Sequence, residues 1–172
     1  MLEQSTADVV IQCIDKAAKM EYLKEGDAAP EFTATDQNGK KVSQEDFRGK
    51  KTILYFYPKD NTPGCTKEAC DFRDNYEMLA KKGFQVIGVS ADTEKSHLKF
   101  IDKYDLPFSL ISDPEKEMIQ KYRAWGPKKF MGREYDGIHR ITYVIDEEGK
   151  IEKTIEKVKT KEASKQVLEA LA

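Results

Sequence analysis

YFYPKDNTPGCTKEACDFRD, residues 55–74, starts as a buried strand, breaks at Pro58, Pro63 and Gly64, and resumes with helical spacing. It continues an apolar and aromatic run that begins at Thr52, TILYFY, the pattern of a strand covered on both faces. Pro58 ends such a strand because it lacks an N–H. Two of the chain's three cysteines, Cys65 and Cys70, lie in the stretch, five residues apart. The turn that follows a buried strand is where α/β proteins place ligand chemistry. The stretch therefore decides both the architecture and the place to look for function.

Working outward, the periodicities predict strands over 32–36, 84–90, 108–111, 138–146 and 151–157, besides the one over 52–57. Helices are predicted over 66–82, with Gly83 as the stop, over 93–104 with Leu98 and Ile101 inward, from Pro114 to about Tyr122, and over 161–172. Asn38-Gly39 marks a hairpin tip, and residues 123–137 read as a loop. Strands alternating with helices, closed by a hairpin and a helix, predict an α/β fold with a central mixed sheet flanked by helices. Residues 1–20 read as a helical extension with Val9, Val10, Cys13, Ile14, Ala17 and Ala18 on one stripe, ahead of a domain over 21–172.

The chain's 172 residues suffice for one hydrophobic core. Lys and Arg number 29 against 31 Asp and Glu, for a net charge of −2, which argues against a nucleic-acid partner. No apolar run approaches the ~20 residues of a membrane helix, and the opening residues lack the basic start of a signal peptide. The expectation is a cytoplasmic protein with reduced cysteines. His97 and His139 do not stand at zinc-finger spacing from the cysteines, so no metal or other cofactor is expected.

Cys65 falls where the helix starts, and the unpaired N–H groups and dipole there favour an anion. Thr62 lies three residues earlier and Gly64 leaves the thiol uncrowded. On a regular helix, residues five apart have Cα atoms about 8–9 Å apart, whereas a disulfide needs less than about 7 Å. A bond between Cys65 and Cys70 thus requires the first turn to unwind. An ionised, accessible thiol attacks a peroxide O–O bond and becomes a sulfenic acid, which a second thiol condenses into a disulfide. Such a site needs a cation. Arg140, in a predicted strand with apolar neighbours, is the candidate, since an unpaired buried charge is costly; Glu68, one turn past Cys65, is placed to orient it.

The segment Pro58 to Cys65, with proline, threonine and cysteine at the spacing Pro-x3-Thr-x2-Cys, resembles the peroxiredoxin active-site pattern. Together with AWGPKKFMGREYDGIHRITYVID, residues 124–146, it resembles the bacterioferritin-comigratory-protein, or PrxQ, subfamily from about residue 23 to the end. The resemblance implies a thioredoxin-like fold, with Cys65 as peroxidatic and Cys70 as resolving cysteine. Pro58, Thr62 and Arg140 complete the implied pocket. It implies reduction of hydrogen peroxide and organic hydroperoxides, reset by thioredoxin or a similar dithiol, in a monomer; the added helix leaves a dimer open. The leading ~20 residues, with Cys13, depart from the pattern. Cys13 reads as a packed core or interface thiol, with an alternative disulfide as the sharper reading. His139 is expected to face away from Arg140, and His97 to be solvated.

Two other functions share these features. A thioredoxin-type oxidoreductase normally separates its cysteines by two residues, not the four found here. A redox-sensing or holdase protein would use the unwinding helix to expose a partner surface, for which the sequence carries no motif.

Overall fold

The computed structural model describes residues 20–172. The helix expected over the leading residues, and Cys13 with it, lie outside the described residues. Among the described residues there are nine strands, β1 (Thr33–Asp36), β2 (Lys41–Ser43), β3 (Lys51–Phe56), β4 (Phe84–Ser90), β5 (Ser109–Ser112), β6 (Trp125–Phe130), β7 (Arg133–Ile138), β8 (Ile141–Ile145) and β9 (Ile151–Ile155). The helices are α1 (Pro63–Asp74), α2 (Tyr76–Lys81), α3 (Glu94–Tyr104), α4 (Glu117–Lys121) and α5 (Ala163–Leu171), with short 3-10 turns at Gln44–Phe47 and Thr160–Glu162.

Seven strands form one mixed sheet in the order β2-β1-β5-β4-β3-β8-β9. β3, β4 and β5 run parallel, and β8 closes antiparallel on β3 with Ile141 opposite Phe56. The central strand β3 alternates its side chains between two cores, as strand geometry requires. Ile53, Tyr55 and Tyr57 pack with Phe72, Leu79, Phe100 and Val167 from α1, α2, α3 and α5. Leu54 and Phe56 point the other way, onto Phe32, Phe47, Met118 and Tyr122. Each fully buried aromatic or aliphatic side chain contributes roughly 1.5–3 kcal/mol from its removal from water, so the strand carrying the turn is firmly held from both faces. Gly88 on β4 makes that packing close: a Cβ there would lie 2.7 Å from Leu110 Cδ2 and 2.8 Å from the Tyr55 ring.

Several expectations are corrected. The single helix over 66–82 is two. Asn75 donates its side-chain amide to the Asp71 carbonyl at 2.8 Å and adopts φ −106°, ψ 8° between α1 and α2, the local competition that makes Asn a poor helix-interior residue. The helix from Pro114 starts later, because Lys116 is left-handed (φ 62°) and the Asp113 carboxylate accepts from the N–H groups of Glu117 and Ile119. Residues 123–137 are mostly a β-hairpin rather than a loop, β6 paired with β7 in a separate two-stranded sheet. Its turn places Met131 (φ 50°) and Gly132 (φ 78°) as the two left-handed residues of a type I′ hairpin.

In α3 the inward stripe is His97, Phe100, Ile101 and Tyr104, at the spacing one helical face demands. Leu98, expected inside, is 46% exposed, and His97, expected in solvent, is fully buried.

Candidate active site

β3 runs out at Phe56, and the chain turns through Tyr57–Thr62 into α1. Pro63 occupies the first helical position, where its missing N–H costs nothing. Thr62 is the N-cap residue; its hydroxyl donates to the Lys59 carbonyl at 2.9 Å, which tightens the loop. Cys65 is therefore the third residue of α1, where backbone N–H groups at the helix start remain free of intrahelical partners.

Arg140 arrives from the opposite side. It was expected inside a strand, but it belongs to the two-residue link, His139–Arg140, between β7 and β8. Because Ile141 pairs with Phe56, the preceding residue sits beside the end of β3 where the turn begins. Arg140 Nη2 donates to Cys65 Sγ at 3.2 Å, and Nη1 donates to Glu68 Oε1 at 2.9 Å. One guanidinium thus bridges two residues one helical turn apart, a fork geometry that only arginine supplies. Gly64 makes room for it: a Cβ there would stand 3.3 Å from Nη2.

Glu68 is fully buried, and its Oε2 has no hydrogen-bond partner among the described residues. Burial pushes its carboxyl up to about 7, against the downward pull of the Arg140 charge and hydrogen bond. For Arg140, burial disfavours the charge, but Glu68 and Cys65 more than offset it, so its pKa lies above the ordinary arginine value.

Cys65 itself is 2% exposed, tucked between Arg140 and the aromatic core of Tyr55, Tyr57 and Phe72, rather than open as the sequence suggested. The guanidinium is its cover, and Arg140 keeps 22% of its side chain in solvent. Cys70 lies further along α1, partly exposed; both are free thiols. Pro58 stands in the turn after β3, between the strand and the loop that leads to the site. The structure thus joins Cys65, Glu68 and Arg140 by direct contact, and places Thr62 and Pro58 in the loop leading to them.

Sequence reasoning missed two neighbours. Lys128, on the hairpin, donates to the Ile138 carbonyl at 2.8 Å. Burial pushes its ammonium down, the Arg140 charge pushes the same way, and Cys65 opposes them. Its signal was hidden once β6 was read as loop. The other is the buried Asp60–His97 pair beneath the turn, at 2.7 Å. His139, by contrast, faces the hairpin, with Nε2 2.9 Å from the Pro127 carbonyl oxygen.

Residues 25–154 match the AhpC/TSA family. The chain belongs to that family. Its curated relatives include the putative peroxiredoxin bcp of Haemophilus influenzae, 46% identical over 88% of this chain and 98% of that protein. Peroxiredoxin Bcp of Bacillus subtilis is 44% identical over 85% and 93%. Among solved structures, the Xanthomonas campestris bacterioferritin comigratory protein, described for its alkyl peroxide reduction activity, superimposes with a TM-score of 0.79. It is 32% identical and covers 88% of this chain and 97% of its own. This AhpC/TSA protein is a peroxiredoxin of the Bcp/PrxQ group, an enzyme of the thiol peroxidase class, and its fold is thioredoxin-like. No helix among the described residues is long and apolar enough to cross a membrane.

Proposed function

We propose that the chain reduces hydrogen peroxide and organic hydroperoxides with Cys65 as the peroxidatic and Cys70 as the resolving cysteine. The observation that carries this is the Arg140 guanidinium 3.2 Å from Cys65 Sγ at the first turn of α1. The Cys65 thiolate attacks one peroxide oxygen, the O–O bond breaks, and the other oxygen leaves as hydroxide or alkoxide and takes a proton to become water or an alcohol. The product is Cys65 sulfenic acid. Arg140 holds the thiolate and donates to the oxygens as charge moves onto them; the Thr62 hydroxyl stands by the same approach. Donors fixed where charge develops are the largest single source of rate in such sites. Glu68 fixes the guanidinium, and Pro58 directs the chain into the turn.

Cys70 then attacks the Cys65 sulfur, water leaves, and an intramolecular disulfide forms. The two cysteines belong to one continuous helix, Pro63–Asp74, so the bond demands that the helix open. An external dithiol of the thioredoxin kind reduces the disulfide in two exchange steps and is itself oxidised. Organic hydroperoxides are included because the Xanthomonas relative is described as reducing alkyl peroxides. The scheme calls on no metal or other cofactor. The chain acts as a monomer in this scheme; a contact through residues 1–20 is the route to a dimer.

The test is peroxide consumption driven by a thioredoxin system, in the unaltered chain and in Cys65→Ser. Turnover that disappears in Cys65→Ser is expected; turnover that survives it rejects the assignment. In Cys70→Ser, one sulfenic acid per chain should accumulate while turnover with thioredoxin stalls.

A further inference from the structure

Beneath the turn that delivers Cys65 lies a group of buried polar side chains that the peroxide chemistry does not consume. The Asp60 carboxylate accepts the Tyr57 hydroxyl on Oδ1 at 2.6 Å. Its Oδ2 accepts the Ser96 hydroxyl at 2.8 Å and lies 2.7 Å from His97 Nδ1. The Asp60 backbone N–H donates to Asp92 Oδ2 at 2.8 Å, and that oxygen also takes the Ser90 hydroxyl at 2.7 Å. His97 Nε2 lies 2.9 Å from the Ile111 carbonyl oxygen, an acceptor only, so Nε2 carries a proton. Burial, then the neighbouring Tyr55 and Asp60, hold the Tyr57 phenol well above its ordinary range, so it stays a donor.

The ligand-type atoms of Asp60, Asp92 and His97 fall within 4.8 Å of one another, the spacing of a cation site. Yet His97 spends both nitrogens, one on Asp60 and one on a carbonyl, and both Asp60 oxygens are taken by protein donors. Asp60 and His97 are saturated from within. Its purpose must lie in what it holds.

What it holds is the approach to the thiol. Asp60 stands two residues before Thr62 and five before Cys65. The next residue, Asn61, is left-handed at φ 59°, and its side-chain oxygen accepts the Tyr104 hydroxyl at 2.9 Å and Lys103 Nζ at 3.3 Å. Helix α3 therefore grips the turn at two points, through Ser96 and His97 near its start and through Lys103 and Tyr104 at its end. The Ser96 and His97 contacts to Asp60 involve no residue of α1, whereas Tyr104 is also tied to it, its carbonyl accepting from Arg73 Nη1 at 2.8 Å.

Resting on the role of Cys65 given above, we propose that Asp60 and His97 are positioning residues of the peroxide-reducing site. They clamp residues 57–61 to α3 so that Thr62 and Cys65 return to register with Arg140 each time the helix refolds. A peroxide reaction needs that register, whereas alkylation by iodoacetamide needs the thiolate and access to it but no alignment with Thr62 and Arg140. A misplacement of about 1 Å costs on the order of 10²-fold in an oriented reaction.

The experiment compares the two rates at Cys65, by stopped-flow with hydrogen peroxide and by mass spectrometry of iodoacetamide-treated protein. In Asp60→Ala the peroxide rate is expected to fall by about 10²-fold, with alkylation changed by less than about 3-fold. Asp60→Asn, whose amide oxygen still accepts, should recover to within about tenfold of the unaltered chain. Should Asp60→Ala fail to fold by circular dichroism, Ser96→Ala, which removes one donor, carries the test with a several-fold drop in the ratio of the two rates. A merely structural role lowers both rates together, and an unchanged ratio in a reactive chain overturns this proposal alone. No peroxide reaction in the unaltered chain overturns the reading of Cys65 and this proposal with it.

Discussion

Arg140 reaches Cys65 because Ile141 is paired with Phe56. The antiparallel register of β8 on β3 fixes which residue lies beside the end of the central strand, and that residue's guanidinium ends 3.2 Å from the sulfur. The cysteine comes from a helix start and the arginine from a link between two strands, 75 residues later. A rigid sheet holds both, which is how a site gains the precision that loops alone cannot give.

Arg140→Lys tests that geometry. Lysine keeps the charge but loses the planar fork that serves Cys65 and Glu68 together. The second-order rate of the enzyme with hydrogen peroxide should fall by about 10²–10³-fold, as for loss of a transition-state donor. Competition kinetics against a second peroxide-consuming enzyme measures it.

Gly64→Ala separates helix stability from chemistry. Alanine favours a helix over glycine by up to about 1 kcal/mol, so the thermal midpoint should hold or rise. Its Cβ would stand 3.3 Å from Arg140 Nη2, tighter than ordinary contact, and the guanidinium must give way. The peroxide rate should drop by roughly tenfold in a protein no less stable.

Glu68 gives a pH signature. Its folded-state carboxyl is pushed by burial from an ordinary 4.5 to about 7. Between those values the folded chain holds a proton that the unfolded chain has released, so stability falls as pH rises through this window and levels off above it. Urea unfolding of the unaltered chain and of Glu68→Gln at pH 5 and pH 8 should show the unaltered chain losing ground by on the order of 1–3 kcal/mol relative to the variant. A difference independent of pH would contradict the burial argument.

The strand–turn–helix over residues 52–74 was legible because its signals are local: a continuous apolar run, a proline that stops the strand, and a thiol at the helix start, although the helix begins at Pro63 rather than at Thr66 as expected. The mixed sheet followed from the alternation of elements and the final hairpin. What the sequence hid are contacts between distant residues. His97 and Leu98 are adjacent on α3, and apolarity assigns the inside to Leu98. The carboxylate that draws His97 inward stands 37 residues away. The hairpin β6–β7 was hidden for another reason. Gly126, Pro127 and Gly137 argue against strands, and most of its side chains face water, so no alternating pattern marks it. Lys128 was lost with it. Arg140 was found through its apolar neighbours, although it occupies the link between strands rather than the strand itself.

Opening of α1 on oxidation predicts a change confined to one segment. Thr66 N–H now donates to the Thr62 carbonyl at 2.8 Å, the first hydrogen bond of the helix. Amide hydrogen exchange of residues 65–70 should accelerate by at least about tenfold in the disulfide form. The Asp60 amide, bonded to Asp92 outside the helix, should keep its protection.

The most direct measurement is mass spectrometry of the fully reduced chain after mixing with one equivalent of hydrogen peroxide. The expected product is a single intramolecular disulfide joining Cys65 to Cys70, with Cys13 still a free thiol. A reduced Cys65 after the peroxide is spent, or a bridge from Cys65 to Cys13, would contradict it.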